Sequence, residues 1–83
     1  MSDNEVDDGK QEELQARHVH AFLKTAIVFG ALATGTAITI GTLMRRHRVS
    51  AGAARKALVT LEDEGLVSRE SADEARVSNV AHH

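Results

Sequence analysis

The residues with the clearest chemistry in this 83-residue chain are cations: Arg45, Arg46, Arg48, Arg55 and Lys56. A guanidinium offers a planar fork of N–H donors that matches phosphate or carboxylate oxygens two at a time, and an ammonium offers a compact point charge. The formal net charge of −2 conceals how these cations are placed. Residues 14–61 hold seven bases and no acid, whereas residues 1–13 and 62–83 each hold six acids. A basic middle between acidic flanks points to a local anionic partner.

Other chemistries find little support. There is no acid pair, no nucleophile beside a base and no glycine-rich phosphate loop, so no enzyme and no cofactor are expected. Cysteine is absent, which removes disulfides and thiolate metal sites. Of the five histidines, His18 and His20 are two apart and share no helix face, His47 sits alone, and His82 and His83 end the chain. No spacing of a closed zinc site results, and no metal is expected. Only Phe22 and Phe29 are aromatic, too few for a stacking platform for single strands.

The elements that must position the cations lie between Ile38 and Val67. Ile38-Thr39-Ile40 leads into a short helix, expected over residues 39–47, that carries Leu43 and Met44. Val49 ends a turn, and Ser50 supplies a capping oxygen for a second helix over residues 50–64. Ala54, Ala57, Leu58 and Leu61 recur at spacings of three and four and so share one face of it. Gly65 is placed to take the left-handed conformation that closes a helix, and Leu66-Val67-Ser68 then reads as extended. Helix, turn, helix, glycine, strand is the outline of a winged helix-turn-helix, which lays its second helix in the major groove of DNA.

The run from Ala31 to Glu70 resembles the cores of MarR- and GntR-type regulators, in which a basic short helix, "VS", an Ala/Leu helix and "EGLV-R-E" follow in the same order. RRHRV…AARKAL…LEDEGLV is also similar to the gamma domain of FtsK-type translocases. The Ala-Arg, Ala-Leu and Gly-Leu positions are shared with the archaeal and eukaryotic small-subunit ribosomal winged-helix proteins. The resemblance covers about half the chain and implies a duplex DNA partner. By the ribosomal likeness it also allows a module that binds protein or structured RNA.

Met1 to Gln11 is acidic and without apolar periodicity, as in a disordered tail, and residues 81–83 read as a second tail. A helix is expected from Glu12 to Ala33, with Leu14, Val19, Phe22, Leu23, Ala26 and Ile27 on its apolar stripe. From Ala26 to Ala33 the chain is apolar all round. One explanation is a buried first helix whose surplus surface forms a homodimer. The other is a single membrane-spanning helix at about residues 21–44. Thr25 to Met44 is twenty uncharged residues, followed by Arg45-Arg46-His47-Arg48 as a cytoplasmic flank. Thr34-Gly35-Thr36 dilutes that run, no Trp or Tyr anchors its ends, and a span would not require the order of residues from Ile38 to Glu70.

The expectation is therefore a mainly helical winged helix-turn-helix over residues 12–80, with a long first helix, a loop at Thr34–Ala37 and a short two-stranded wing. It would be cytoplasmic, nucleoid-associated and regulatory or architectural. Arg45, Arg46 and Arg48 would meet phosphates, while Ser50, Ala51, Gly52 and Ala53 would form an exposed first turn that enters the groove. Arg55 is placed to contact guanine and Lys56 to lie beside it. Arg69 and Arg76 would reach the backbone or minor groove from a wing made of Leu66–Ser68, a loop over Arg69–Glu74 and a return strand near Arg76–Val80. Alternatively, Ser71 caps a short helix over Ala72–Val77. Glu62-Asp63-Glu64 would face away from any DNA.

Overall fold

The computed structural model describes residues 3–78. Helix α1 spans Asp3–Val28, α2 Ile40–His47 and α3 Ala51–Asp63; strand β1 spans Ala37–Thr39, β2 Val67–Ser71 and β3 Glu74–Val77. The strands form one antiparallel sheet in the order β1-β3-β2. The tail at 81–83 and the end of the expected return strand, residues 79 and 80, lie outside the described residues.

Helix α1 begins earlier and ends earlier than its apolar pattern suggests. It takes in residues 3–11, expected as a tail. Its end comes at Val28 because Gly30 is left-handed, with φ of 84°. The Leu32 N–H then donates to the Ala26 carbonyl across the turn. Gly35, also left-handed, redirects the chain into β1, and its N–H donates to the Val77 carbonyl. The continuous helix from Thr25 to Met44 required by the membrane reading is therefore replaced by a helix end, a loop, a strand and a second helix. Among the described residues, no helix is long and apolar enough to cross a membrane.

Residues 37–39 are a strand where a loop and a helix start were expected. Ala37, Ile38 and Thr39 pair with Arg76, Ala75 and Glu74, so the expected two-stranded wing is part of a three-stranded sheet. Short alternation in three residues is too weak a signal to read before its partner strand is known. Arg69 to Ser71, expected as loop, continues β2 through a bulge. The alternative helix after Ser71 does not form. Ser71 Oγ instead accepts from the Asp73 N–H at 3.3 Å in a tight turn to β3.

The two shorter helices start where side-chain oxygens satisfy their open N–H groups. Thr39 Oγ1 accepts from the Thr42 N–H at 3.2 Å, and Ser50 Oγ from the Ala53 N–H at 3.1 Å. After the Glu64 cap, Gly65 with φ of 80° lets the Leu66 N–H return to the Leu61 carbonyl.

The core unites all six elements, with Val19, Leu23 and Ile27 of α1 packed with Leu43, Leu58, Leu61, Ala75 and Val77. The α3 face of Ala54, Ala57, Leu58 and Leu61 is buried as expected, and Ala53 joins it. The stripe of α1 is rotated from the expected one. Ala16 is buried, whereas Leu14 is 59% and Phe22 48% exposed. Spacing alone does not choose between two overlapping apolar stripes on a helix that is rich in both.

Gly52 faces α1, and an added Cβ there would overlap the Glu12 carboxylate. Because that obstruction is the flexible end of a half-buried side chain, Gly52→Ala is expected to raise stability by about 0.5–1 kcal/mol through helix propensity. Urea denaturation checks it; a loss of stability would show that the Glu12 carboxylate cannot move.

Candidate nucleic-acid interface

The turn between α2 and α3 gathers three cations. Arg45 and Arg46 fall in the last turn of α2, where positive side chains suit the carbonyl end of the helix. Arg48 follows as the C-cap in the left-handed region, with φ of 56°, and turns the chain toward α3. Val49 is buried and anchors the turn, while all three arginines are exposed. None of the three has an ion-pair partner among the described residues. The intervening His47 does not add to this charge at neutral pH. Burial, then the neighbouring His18 and Arg46, hold its imidazole below the usual histidine range. Its ring lies edge-on to Phe22 at 4.8 Å and to His18 at 5.9 Å, a contact between α1 and α2 that sequence spacing did not foreshadow.

The start of α3 differs from expectation. Ser50 is exposed, but its N–H donates to Gln15 Oε1 of α1 at 3.0 Å. Ala51 packs against the core, Gly52 is half-buried under Glu12, and Ala53 is fully buried. The first turn of α3 is thus not the exposed surface that its small residues suggested, because the N-terminal half of α1 lies against it. Exposure on α3 begins with Arg55 and Lys56 and continues through Val59 and Thr60. Together with Ala16, Arg17 and His20 of α1, these side chains line a groove of about 510 Å³.

The other four cations singled out in the sequence, Arg55, Lys56, Arg69 and Arg76, are each engaged by an acid. Arg55 Nη2 lies 3.4 Å from Asp73 Oδ1 in the β2–β3 turn, and Lys56 Nζ lies 3.5 Å from Glu13 Oε1. Arg69 reaches Glu62 at 3.5 Å, and its Nε donates to the Ser71 carbonyl at 3.3 Å. Arg76 lies 4.0 Å from Glu74 and donates to the Gly35 carbonyl at 3.0 Å. The ten residues singled out in the sequence therefore divide into unpaired turn arginines, engaged cations of α3 and the sheet, and a half-covered helix start.

His20 and Glu64 form a further link that sequence reading missed, since they are 44 residues apart. His20 Nε2 and Glu64 Oε1 are 2.8 Å apart, tying α1 to the end of α3. This hydrogen bond, aided by the charges of His20 and Lys24 and opposed by partial burial, holds the Glu64 carboxyl below its ordinary 4.5. A carboxyl depressed in the folded state stabilises the fold above its unfolded value and loses that contribution as pH falls through the folded value. Acid titration of stability from pH 5 downward is therefore expected to be shallower in Glu64→Gln than in the parent. The difference should be no more than about 1 kcal/mol for a pair this exposed. Identical acid limbs would show that the contact carries no net energy.

Two helices joined by a cationic turn, the second helix exposed beyond its first turn and followed by a β-hairpin, define a winged helix-turn-helix domain. A family model described as bacterial regulatory proteins, gntR family, matches residues 15–77. The chain belongs to this family, whose winged helix is a DNA-binding domain of transcription regulators. Of the resemblances read from the sequence, the GntR likeness is the one this match supports. The comparison with curated proteins found no match.

Proposed function

We propose that this protein is a cytoplasmic, nucleoid-associated DNA-binding regulator or architectural factor that docks on duplex DNA through the α2–α3 turn. The observation that carries this reading is the exposed trio Arg45, Arg46 and Arg48 beside a recognition helix, none of which has an acidic partner among the described residues. They supply phosphate contacts that fix position, while α3 approaches the major groove with Arg55 available for a bidentate contact to guanine and Lys56 beside it. Ser50, Ala51 and Gly52 bring backbone close to a phosphate rather than side chains to base edges. Arg69 and Arg76 lie on the wing, where they add backbone contacts once released from Glu62 and Glu74.

A homodimer fits the outer face of α1. Leu14, Phe22 and Val28 are about half exposed, and Phe29 just beyond the helix is 82% exposed. These large apolar groups are only partly covered in the monomer, Phe22 by the His47 ring, and a two-fold pairing of α1 would bury them and present two recognition helices to successive turns of DNA.

Fluorescence anisotropy of a labelled duplex over a salt series tests the function. Binding is expected to weaken steeply, with a log–log slope of about −3 or steeper if the three turn arginines each displace a counterion. A flat salt response, or equal retention of a neutral polymer, would reject the docking mode. Sedimentation of the free protein reads the dimer separately.

A further inference from the structure

The N-terminal half of α1 touches the start of α3 at three points. Gln15 accepts the Ser50 N–H, the Glu12 carboxylate lies over Gly52, and Glu13 pairs with Lys56. α3 has no acidic residue in its own first turn. The anion that complements its positive end therefore comes from α1. Glu13 also lies 4.0 Å from Arg17, so one carboxylate bridges two cations at the rim of the groove between the helices. A DNA phosphate arriving at the start of α3 would seek the same place and the same Lys56 ammonium.

We propose that Glu12 and Glu13 form a carboxylate guard over the recognition helix, occupying the position of a DNA phosphate and setting the protein's affinity for duplex DNA. Docking requires these two carboxylates to swing away, which Gly52 permits and the exposure of Glu13 allows. The guard lowers affinity in two ways: it engages Lys56, and it places two negative charges beside the path of the nucleic-acid backbone. Contacts elsewhere must supply the difference, so weak non-specific binding is suppressed more than binding that uses the full interface. The family match begins at Gln15, so the guard residues lie outside the part of the chain that carries the match. This inference rests on the DNA-binding reading above for its consequence, but the carboxylate contacts stand independently of it.

The test compares the full chain carrying Glu12→Gln with Glu13→Gln against a charge-matched control carrying Asp63→Asn with Glu70→Gln. Both control acids are exposed and have no ion pair among the described residues. Anisotropy on a labelled duplex is expected to show about tenfold tighter binding for the guard variant at low salt, and a salt slope steeper by about one as Lys56 becomes available. The control should gain no more than about twofold from its change in net charge. Equal gains in both variants would overturn the guard, because only general charge would then be at work. Heparin retention of the same proteins separates this outcome from failure of the DNA reading. If no variant binds duplex, elution of the guard variant relative to the control still decides the point: later elution supports the guard, and co-elution or earlier elution overturns it. Circular dichroism melts of all three proteins establish that each is folded.

Discussion

Arg45→Ala combined with Arg46→Ala is expected to weaken duplex binding by about 10- to 100-fold near physiological salt, and to reduce the salt slope by about 1.8. Each arginine that releases one counterion contributes about 0.9 to that slope, and neither side chain has an ion pair among the described residues. Stability should be nearly unchanged, since both residues are exposed at the end of α2. Loss of their charge near the helix carbonyl end costs a few tenths of a kcal/mol at most. Lys24→Ala is the matching control. Lys24 lies close enough to Glu64, at the far end of α3, to lower its carboxyl, and so stands away from the turn. If Lys24→Ala weakens binding as much per charge as the double variant, the turn is not the docking surface. If the double variant keeps the parent slope, the arginines make no phosphate contact.

Leu61→Ala is expected to be the most damaging single change to the fold. Leu61 has no exposed surface, and with Leu58 and Val19 it is among the largest fully buried side chains. Its truncation removes apolar contact and leaves a cavity where α3 meets α1 and the sheet. The cost is about 3 kcal/mol. A domain of this size has about 5–10 kcal/mol in total and shifts its midpoint by about 4–8 °C per kcal/mol, so a fall in Tm of about 12–24 °C is expected. Met44→Ala, at a position 38% exposed, provides the comparison and should cost less than about 1 kcal/mol. A small effect at Leu61 would mean that the neighbouring alanines of α3 close over the gap. That would indicate a loosely packed core. DNA binding in Leu61→Ala should fall only to the extent that the protein unfolds, which sets it apart from the arginine variant.

The contacts of α1 with α3 show that the exposure of the helix-turn-helix residues is set in part by a distant segment. Ten residues were recognisable as candidates from charge and spacing, yet their availability differs. Lys56 and Glu13 are 43 residues apart, and Arg55 and Asp73 are 18 apart, so neither pairing could be read from local spacing. The same distance hid the Gln15 contact that closes over Ser50. Small residues at the start of α3 suggested an exposed surface for close approach to DNA. They serve instead as a close approach for α1.

What the sequence determined by itself is the local grammar of the docking unit. Ser50, the three-and-four spacing of Ala54 to Leu61, and Gly65 define α3 because capping, amphipathic periodicity and the left-handed stop act over a single turn or two. The basic middle and its arginine turn were equally legible, since charge needs no partner to be counted. Tertiary structure decided the rest. It set which stripe of α1 is buried, that Ala37 to Thr39 is a strand paired with β3, and that the apolar run from Thr25 breaks at Gly30 rather than continuing as one helix to Met44. It also decided which cations remain without an acid. Each of these depends on a surface supplied by a distant segment: an apolar stripe is buried only against a facing core, a strand exists only with a partner, and a cation is free only when no carboxylate has been folded onto it.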